Sequence, residues 1–229
     1  QQARRLEQVA RELHSGYEPV LSVVLDGILP MPPVMRAMRA FVARHLPTRI
    51  RLMVEYLTGV TDRFVEREAA MMLVLDYEGD EELSAIALPK VDMYLVAHRD
   101  HPLNQRDGRV DRPRLAEHVE LVVTDSSRRS EASTHRLFLG SPQVFELSDF
   151  HSKREALLGG VGYGWLPDHL AREAMKRGDL VQVPFEEGAI HTFEPHLVYR
   201  NDPPLGPAGR LFRELLLEQV SGGVSGVRS

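Results

Sequence analysis

Strands alternating with helices from residue 17 to residue 217 predict an α/β protein with parallel sheets. Three observations carry that reading. Short β-branched runs such as "PVLSVVLDG", "RIRLMVEY" and "ELVVTDS" are followed by segments whose apolar residues recur at helical spacing. Proline stands in the first turns of those segments and glycine past their ends, where each is tolerated. The alternation falls into two sets, about 17–95 and about 96–185, so two α/β halves are expected, each sheet covered by right-handed crossovers. About nine or ten short strands would not fill a single barrel.

In order, Leu6, Val9 and Leu13 come first, at i, i+3 and i+7 among Arg4, Arg5, Arg11 and Glu12. That narrow stripe suits a coiled-coil seam or a helix resting on a partner; Gly16 ends it. "PVLSVVLDG" reads as a buried strand. "LPMPPVMRAMRAFVARHLP" is a helix with Pro32 and Pro33 in its first turn and Val34, Met35, Met38, Phe41 and Val42 on its inner face. "TRIRLMVEYL" is a strand, "TGVTDRFVEREA" a short helix capped by Thr58, and "MMLVLDYE" and "KVDMYLVAH" are strands. A second set follows: helix "DRPRLAEHV", strands "ELVVTDS" and "QVFELS", helix "DFHSKREALLGG" capped by Ser148 or Asp149, strand "VGYGWLP", helix "PDHLAREAMKRG" and strand "DLVQVPF". Strand "FEPHLVYR" and helix "GPAGRLFRELLLEQV" close the fold, and residues 221–229 read as a disordered glycine-rich tail.

The composition is that of a globular chain: 229 residues, 43% hydrophobic, 27% charged, formal net charge -5. That balance gives no nucleic-acid footprint. No apolar run approaches a membrane span, and the start carries no apolar signal core, so no membrane partner and a cytoplasmic location are expected. Without cysteine there is no disulfide, thiolate metal site or cysteine nucleophile.

The stretch "SDFHSKREALLGGVGYGWLPDHLARE", residues 148–173, crowds four glycines around a short apolar run. A dinucleotide fingerprint needs a strand before the glycines and a helix after them. Here a helix ends at Gly159 and Gly160 and a strand begins. There is no G-K-[ST] pair either, so a phosphate loop is not expected. Gly159 and Gly160 are expected to supply positive φ at the helix end, and Gly162 and Gly164 to leave room for a neighbour that approaches closely.

The same stretch resembles the signature of LysR-type transcriptional regulators, in which a helix runs through an "AGxGxxxLP" turn into the next helix. "ILPMPPVMRAMRAFVARHLPTRIRLMVEYLTG", "YLVAHRDHPL" and "RGDLVQVPF" resemble further family segments in the family's order. The resemblance runs from about Tyr17 to about Leu217. It implies two Rossmann-like subdomains joined by two crossover strands, a type II periplasmic-binding-protein-like fold. Subdomain I would take 17–95 plus 197–220 and subdomain II 96–196, after the end of a linker helix at 1–16. It implies a regulatory domain without its N-terminal winged helix-turn-helix. The implied partners are a small-molecule effector in the cleft between subdomains, a second copy in a homodimer or tetramer, and DNA only through the absent domain. The helix from Pro32 to His45 would take part in dimer contact. A free-standing solute-binding protein is the alternative.

Effector sites of such folds lie beyond the carboxyl ends of strands, facing helix N-termini. The residues expected there are Asp26, Gly27, Ile28, Leu57, Thr58 and Tyr77, then Thr124, Ser126, Ser148, Asp149, Phe150 and His151. Hydroxyls at Thr58, Thr124, Ser126 and Ser148 can hydrogen-bond a ligand. Asp26, Asp125 and Asp149 either cap their own helices or face the cleft, where they would favour a cationic or donor-rich effector. Phe150 and His151 are expected on the cleft wall, dispensable for stability. His98, Asp100 and His101 are metal-like residue types on what the resemblance makes an exposed loop, and no metal or other cofactor is expected. No H-E-x-x-H or G-x-S-x-G motif occurs, and Asp149 and His151 lack an accompanying serine nucleophile, so no enzyme activity is expected.

Overall fold

A computed structural model describes residues 16–105, 108–127 and 137–222. The stripe Leu6, Val9, Leu13 and the last seven residues of the tail lie outside them. The chain forms two compact units. Among the described residues, one comprises those up to Asp26, Pro30–Pro89 and those from Glu194; the other comprises Gly27–Leu29 and those between Lys90 and Phe193. The divisions fall several residues earlier than the expected 95/96 and 196/197. The physical reason is strand pairing. Residues 91–98 form one unbroken strand bonded to second-unit strands, and residues 190–193 add a strand beside it.

The first unit holds a five-stranded sheet in the order β2-β1-β3-β11-β4. Its elements are β1 (Val20–Asp26), α1 (Met31–Val42), β2 (Arg49–Glu55), α2 (Thr58–Glu66), β3 (Met71–Val74), β4 (Leu83–Ala87), β11 (His196–Arg200) and α6 (Pro207–Gly222). β1 is flanked by two parallel partners and is almost wholly buried, whereas β2, at the edge, alternates. Val24, Val60, Phe64, Met72 and Val198 meet in a core beneath α2. On α1 the inner face is Val34, Ala37 and Phe41, and Phe41 meets Phe212 of α6 edge-on at 6.0 Å. Met35 and Val42, expected inside, are 43% and 70% exposed. α6 starts against the Glu18 carboxylate, which accepts the N–H groups of Ala208 at 2.8 Å and Gly209 at 3.1 Å. Its last turn takes in Ser221 and Gly222, the first two residues of the expected tail.

The second unit holds a sheet in the order β10-β5-β8-β6-β7, with β9 also paired to β5. Its elements are β5 (Val91–His98), a 3-10 turn (Pro102–Asn104), α3 (Arg112–Ala116), β6 (Glu120–Val123), β7 (Val144–Leu147), α4 (Phe150–Leu158), β8 (Tyr163–Pro167), α5 (Asp168–Arg177), β9 (Leu180–Gln182) and β10 (Ile190–Phe193). Neither sheet is purely parallel. β11 runs antiparallel to β3 and β4, and β5 runs antiparallel to β8, β9 and β10. These are the strands that carry the chain out of one unit and back.

The glycine-rich turn behaves largely as expected. A side chain on Gly162 would strike the Val119 carbonyl, and one on Gly164 would lie 2.6 Å from the Leu121 carbonyl oxygen and 2.9 Å from Lys153 Cε. Strand β6 and helix α4 are therefore the close neighbours. Gly160 supplies positive φ, at 69°; Gly159, with φ -75°, ends the helix in ordinary right-handed geometry.

Candidate functional site

In the first unit the parallel register of β1 and β2 sets Asp26 opposite Glu55. Asp26 is 1% exposed, and its carboxylate accepts the Leu57 N–H at 2.8 Å. A buried carboxylate is stable only when hydrogen-bonded, and here it serves the N-terminus of α2, where it opposes the positive end of the helix dipole. The cap is thus on a neighbouring helix and not on α1, the helix that follows its own strand. Leu57, and not Thr58, is the N-cap residue, held at φ 57° and ψ -122°, a region that residues other than glycine seldom occupy. Thr58 is exposed in the first turn.

Tyr77 packs against the core cluster, with its ring 6.1 Å from that of His196. Burial, with the nearby Asp80 charge, pushes its phenol above the ordinary value.

In the second unit Val123 of β6 stands opposite Leu147 of β7. Thr124 then donates its N–H to the Leu147 carbonyl at 3.0 Å and its hydroxyl to the same oxygen at 3.4 Å. This brings Thr124, Asp125 and Ser126 beside Ser148, Asp149 and His151 at the carboxyl edge of two adjacent strands. Asp149 is the N-cap of α4. Its Oδ1 accepts the N–H groups of His151 and Ser152, both at 2.8 Å. Its Oδ2 accepts the hydroxyls of Ser152 at 2.8 Å and Ser148 at 3.3 Å. The bonds from Ser152 above all hold this carboxyl below the usual range. Asp125 accepts the Ser127 N–H at 2.9 Å and closes a local turn. All three aspartates are therefore engaged in protein hydrogen bonds.

His151 is exposed. Phe150 is not: it is 5% exposed and lies against Lys153, whose ammonium sits 5.4 Å from the ring centre. His169, exposed on α5, feels the charge of His151. His101 is also not solvent-facing. It is 8% exposed, accepts the Leu103 N–H at 3.2 Å through Nδ1, and meets His118 edge-on at 4.9 Å. Among the described residues no three side chains of metal-ligand type come together, and no helix is long and apolar enough to cross a membrane.

Two features escape a reading of the sequence. An open cavity of about 470 Å³ runs along β2 and α2, lined by Arg51, Met53, Val54, Glu55, Arg63 and Arg67. None of the expected site residues lines it, and Arg63 is held by Glu55 at 2.6 Å. Lys153 and Glu120 are buried charges, 4% and 1% exposed. A signal for Lys153 is present: it stands on the i, i+3, i+7 stripe of Phe150 and Leu157, a position for an apolar residue.

Known proteins share this architecture. The chain is 25% identical over 216 residues to the uncharacterized HTH-type transcriptional regulator YeeY of Escherichia coli, covering 93% of this chain and 69% of YeeY. Full-length LysG, an LTTR from Corynebacterium glutamicum with bound effector Arg, superposes with a TM-score of 0.70 at 12% identity, over 98% of this chain and 75% of LysG. The CcmR regulatory domain of Synechocystis PCC6803, in complex with 2-PG, gives a TM-score of 0.68 at 16% identity, over 89% of this chain and 98% of that domain. These low identities speak for the fold, which is the type II periplasmic-binding-protein-like arrangement of α/β units. Membership rests on the sequence itself: the family model of the LysR substrate binding domain matches residues 14–221, nearly the whole of both units, and the chain belongs to that family.

Proposed function

We propose that this chain is the effector-sensing domain of a LysR-type DNA-binding transcriptional regulator. The observation that carries this reading is the family match over residues 14–221. Its effector-binding residues are Asp26, Leu57 and Thr58 in the first unit and Gly27, Ile28, Thr124, Ser126, Ser148, Asp149 and His151 in the second. Phe150 and Tyr77 act behind them as packing residues. The effector's charge does not carry over from the neighbours, since LysG holds Arg and CcmR holds 2-PG. This chain's own chemistry is the better guide. With its aspartates engaged by protein donors, it offers hydroxyls and the His151 imidazole, which suits a small polar, hydroxyl- or carboxyl-bearing molecule. DNA contact belongs to a domain outside this chain, in keeping with the net charge of -5. The protein works in the cytoplasm, without catalysis. It self-associates through α1, on which Met35 and Val42 are exposed.

The test is a thermal-shift screen of amino acids, hydroxy acids, aromatic acids and amines. A ligand at a hundredfold excess over Kd stabilises by about 2.7 kcal/mol. The compound found is then applied to Thr58→Ala, Thr124→Ala and His151→Ala, all at surface or half-buried positions. Weakened binding in at least one variant from each unit is expected. Undiminished binding by all three folded variants would show that the effector sits elsewhere.

A further inference from the structure

The second unit buries two opposite charges between α4 and its sheet, and no role assigned so far uses them. Lys153 stands in the first turn of α4, and its aliphatic stem crosses strand β8 at Gly164. A side chain there would lie 2.9 Å from Lys153 Cε and 3.2 Å from Nζ. The Leu121 carbonyl oxygen, 2.6 Å from that position, is the nearer barrier to a side chain, and the lysine stem fills the rest of the space over Gly164. The ammonium lies 5.4 Å from the Phe150 ring centre. Among the described residues, the only charge that acts appreciably upon it is Glu120, at the start of β6.

Glu120 is itself committed. Its two oxygens accept the N–H groups of Leu139 at 2.8 Å and Ser141 at 3.1 Å, which fastens the segment leading into β7. Tyr163 of β8 lies close enough to feel the Glu120 charge, as does Arg112 of α3, which is paired with Glu187. The other ionisable groups on elements packed against α4 are Asp92, Tyr94 and His98 of β5, Glu146 of β7 and the charged residues of α5; none acts appreciably on Lys153.

An ammonium in an apolar interior is costly, and a carboxylate already bonded to two backbone donors offsets only part of that cost. We propose that Lys153 is a proton-sensitive tie between α4 and the sheet of the second unit. When Lys153 is neutral, α4 packs with no cation beneath it; when Lys153 takes up a proton, the packing weakens and the helix loosens. Burial pushes the lysine down to about 7, against the partial support of Glu120. Above that pH and below the ordinary lysine value, the unfolded chain binds a proton that the folded chain does not. Stability from this group therefore rises with pH across that window and is lowest below neutrality. Glu120, whose carboxyl burial pushes upward, contributes with the opposite slope.

The chain has three lysines, Lys90, Lys153 and Lys176, which makes the measurement direct. The intact 229-residue chain is labelled with carbon-13 at the lysine side chains and titrated by NMR. One lysine resonance is expected to move with a midpoint near neutrality, and to be the one missing from Lys153→Met. If no lysine resonance moves between about pH 6 and about pH 8, the proposal is overturned, whatever the variant does. Where Lys153→Met folds, the rise of Tm between about pH 7 and about pH 9 should flatten relative to the parent, and faster amide exchange along α4 below neutrality should disappear. A variant that keeps the parent's slope and exchange pattern also overturns it.

Discussion

Gly160 and Gly162, two residues apart, are glycine for different physical reasons. Gly160 has φ 69°, and a Cβ at that position would make only an ordinary contact, with His98 Cβ 3.8 Å away. Gly162 has ordinary φ but faces the Val119 carbonyl. Gly160→Asn should therefore be nearly neutral, because asparagine tolerates left-handed backbone, whereas Gly162→Ala should cost about 1–3 kcal/mol through overpacking. Urea denaturation decides the matter, and equal losses in the two variants would refute the distinction. The neighbouring pair Phe150 and His151 separates in the same way. Phe150→Ala should cost about 3–5 kcal/mol as a core truncation, and His151→Ala should stay within about 0.5 kcal/mol as a surface change. From sequence alone both read as wall residues, because a helix N-terminus does not reveal which of its first residues turns inward. The contact with Lys153 that fixes Phe150 inward comes from the same helix, three residues on.

Among the elements, α4 illustrates how much is legible in the sequence and why. Its start, its cap and its end can be read from Ser148, Asp149 and the glycines, since capping chemistry is local. The cap carries a definite prediction. Asp149→Ala should cost about 1–2 kcal/mol, while Asp149→Asn should keep most of that stability. The Asp149 carboxyl is held below its ordinary value, so its contribution is present above the unfolded-state pKa and is lost as pH falls through the folded one. The asparagine variant should lack that acid loss, which urea midpoints measured from neutral to acid pH would show; an unchanged acid slope would contradict the cap. By contrast β4 and β10 are not legible. Both are short and half-exposed, and each owes its existence to an antiparallel partner distant in sequence: β11 for β4 and β5 for β10. The expectation of parallel sheets fails for the same reason. Local pattern tells a strand from a helix, but the direction of a returning strand is set by where the chain has to go. Asp26 reads locally as a cap for its own helix; only the parallel register of β1 with β2 brings it to Leu57.

For the whole molecule, stability responds to every proton that the folded and unfolded chains bind differently, and His101 supplies a test in the acid range. It caps the 3-10 turn by accepting the Leu103 N–H on Nδ1, so it must stay neutral there. Burial first, then the charges of His118 and His98, push it down to about 4 from 6.5. Between those values the unfolded chain holds a proton that the folded chain refuses, so stability falls as pH drops through that window. Asp149, whose carboxyl is lowered, acts with the same sign, while Glu120, whose carboxyl is raised, acts against both. Replacing His101 should therefore reduce the acid slope without abolishing it. His101→Asn is the informative variant, because an asparagine oxygen can accept the same N–H without titrating near neutrality. The expected result is a shallower fall of the urea midpoint between about pH 6.5 and about pH 4, with the parent and variant differing by a constant offset above that range. A slope as steep as the parent's would mean that His101 keeps its proton in the folded protein and that the turn before α3 is held by something other than its imidazole.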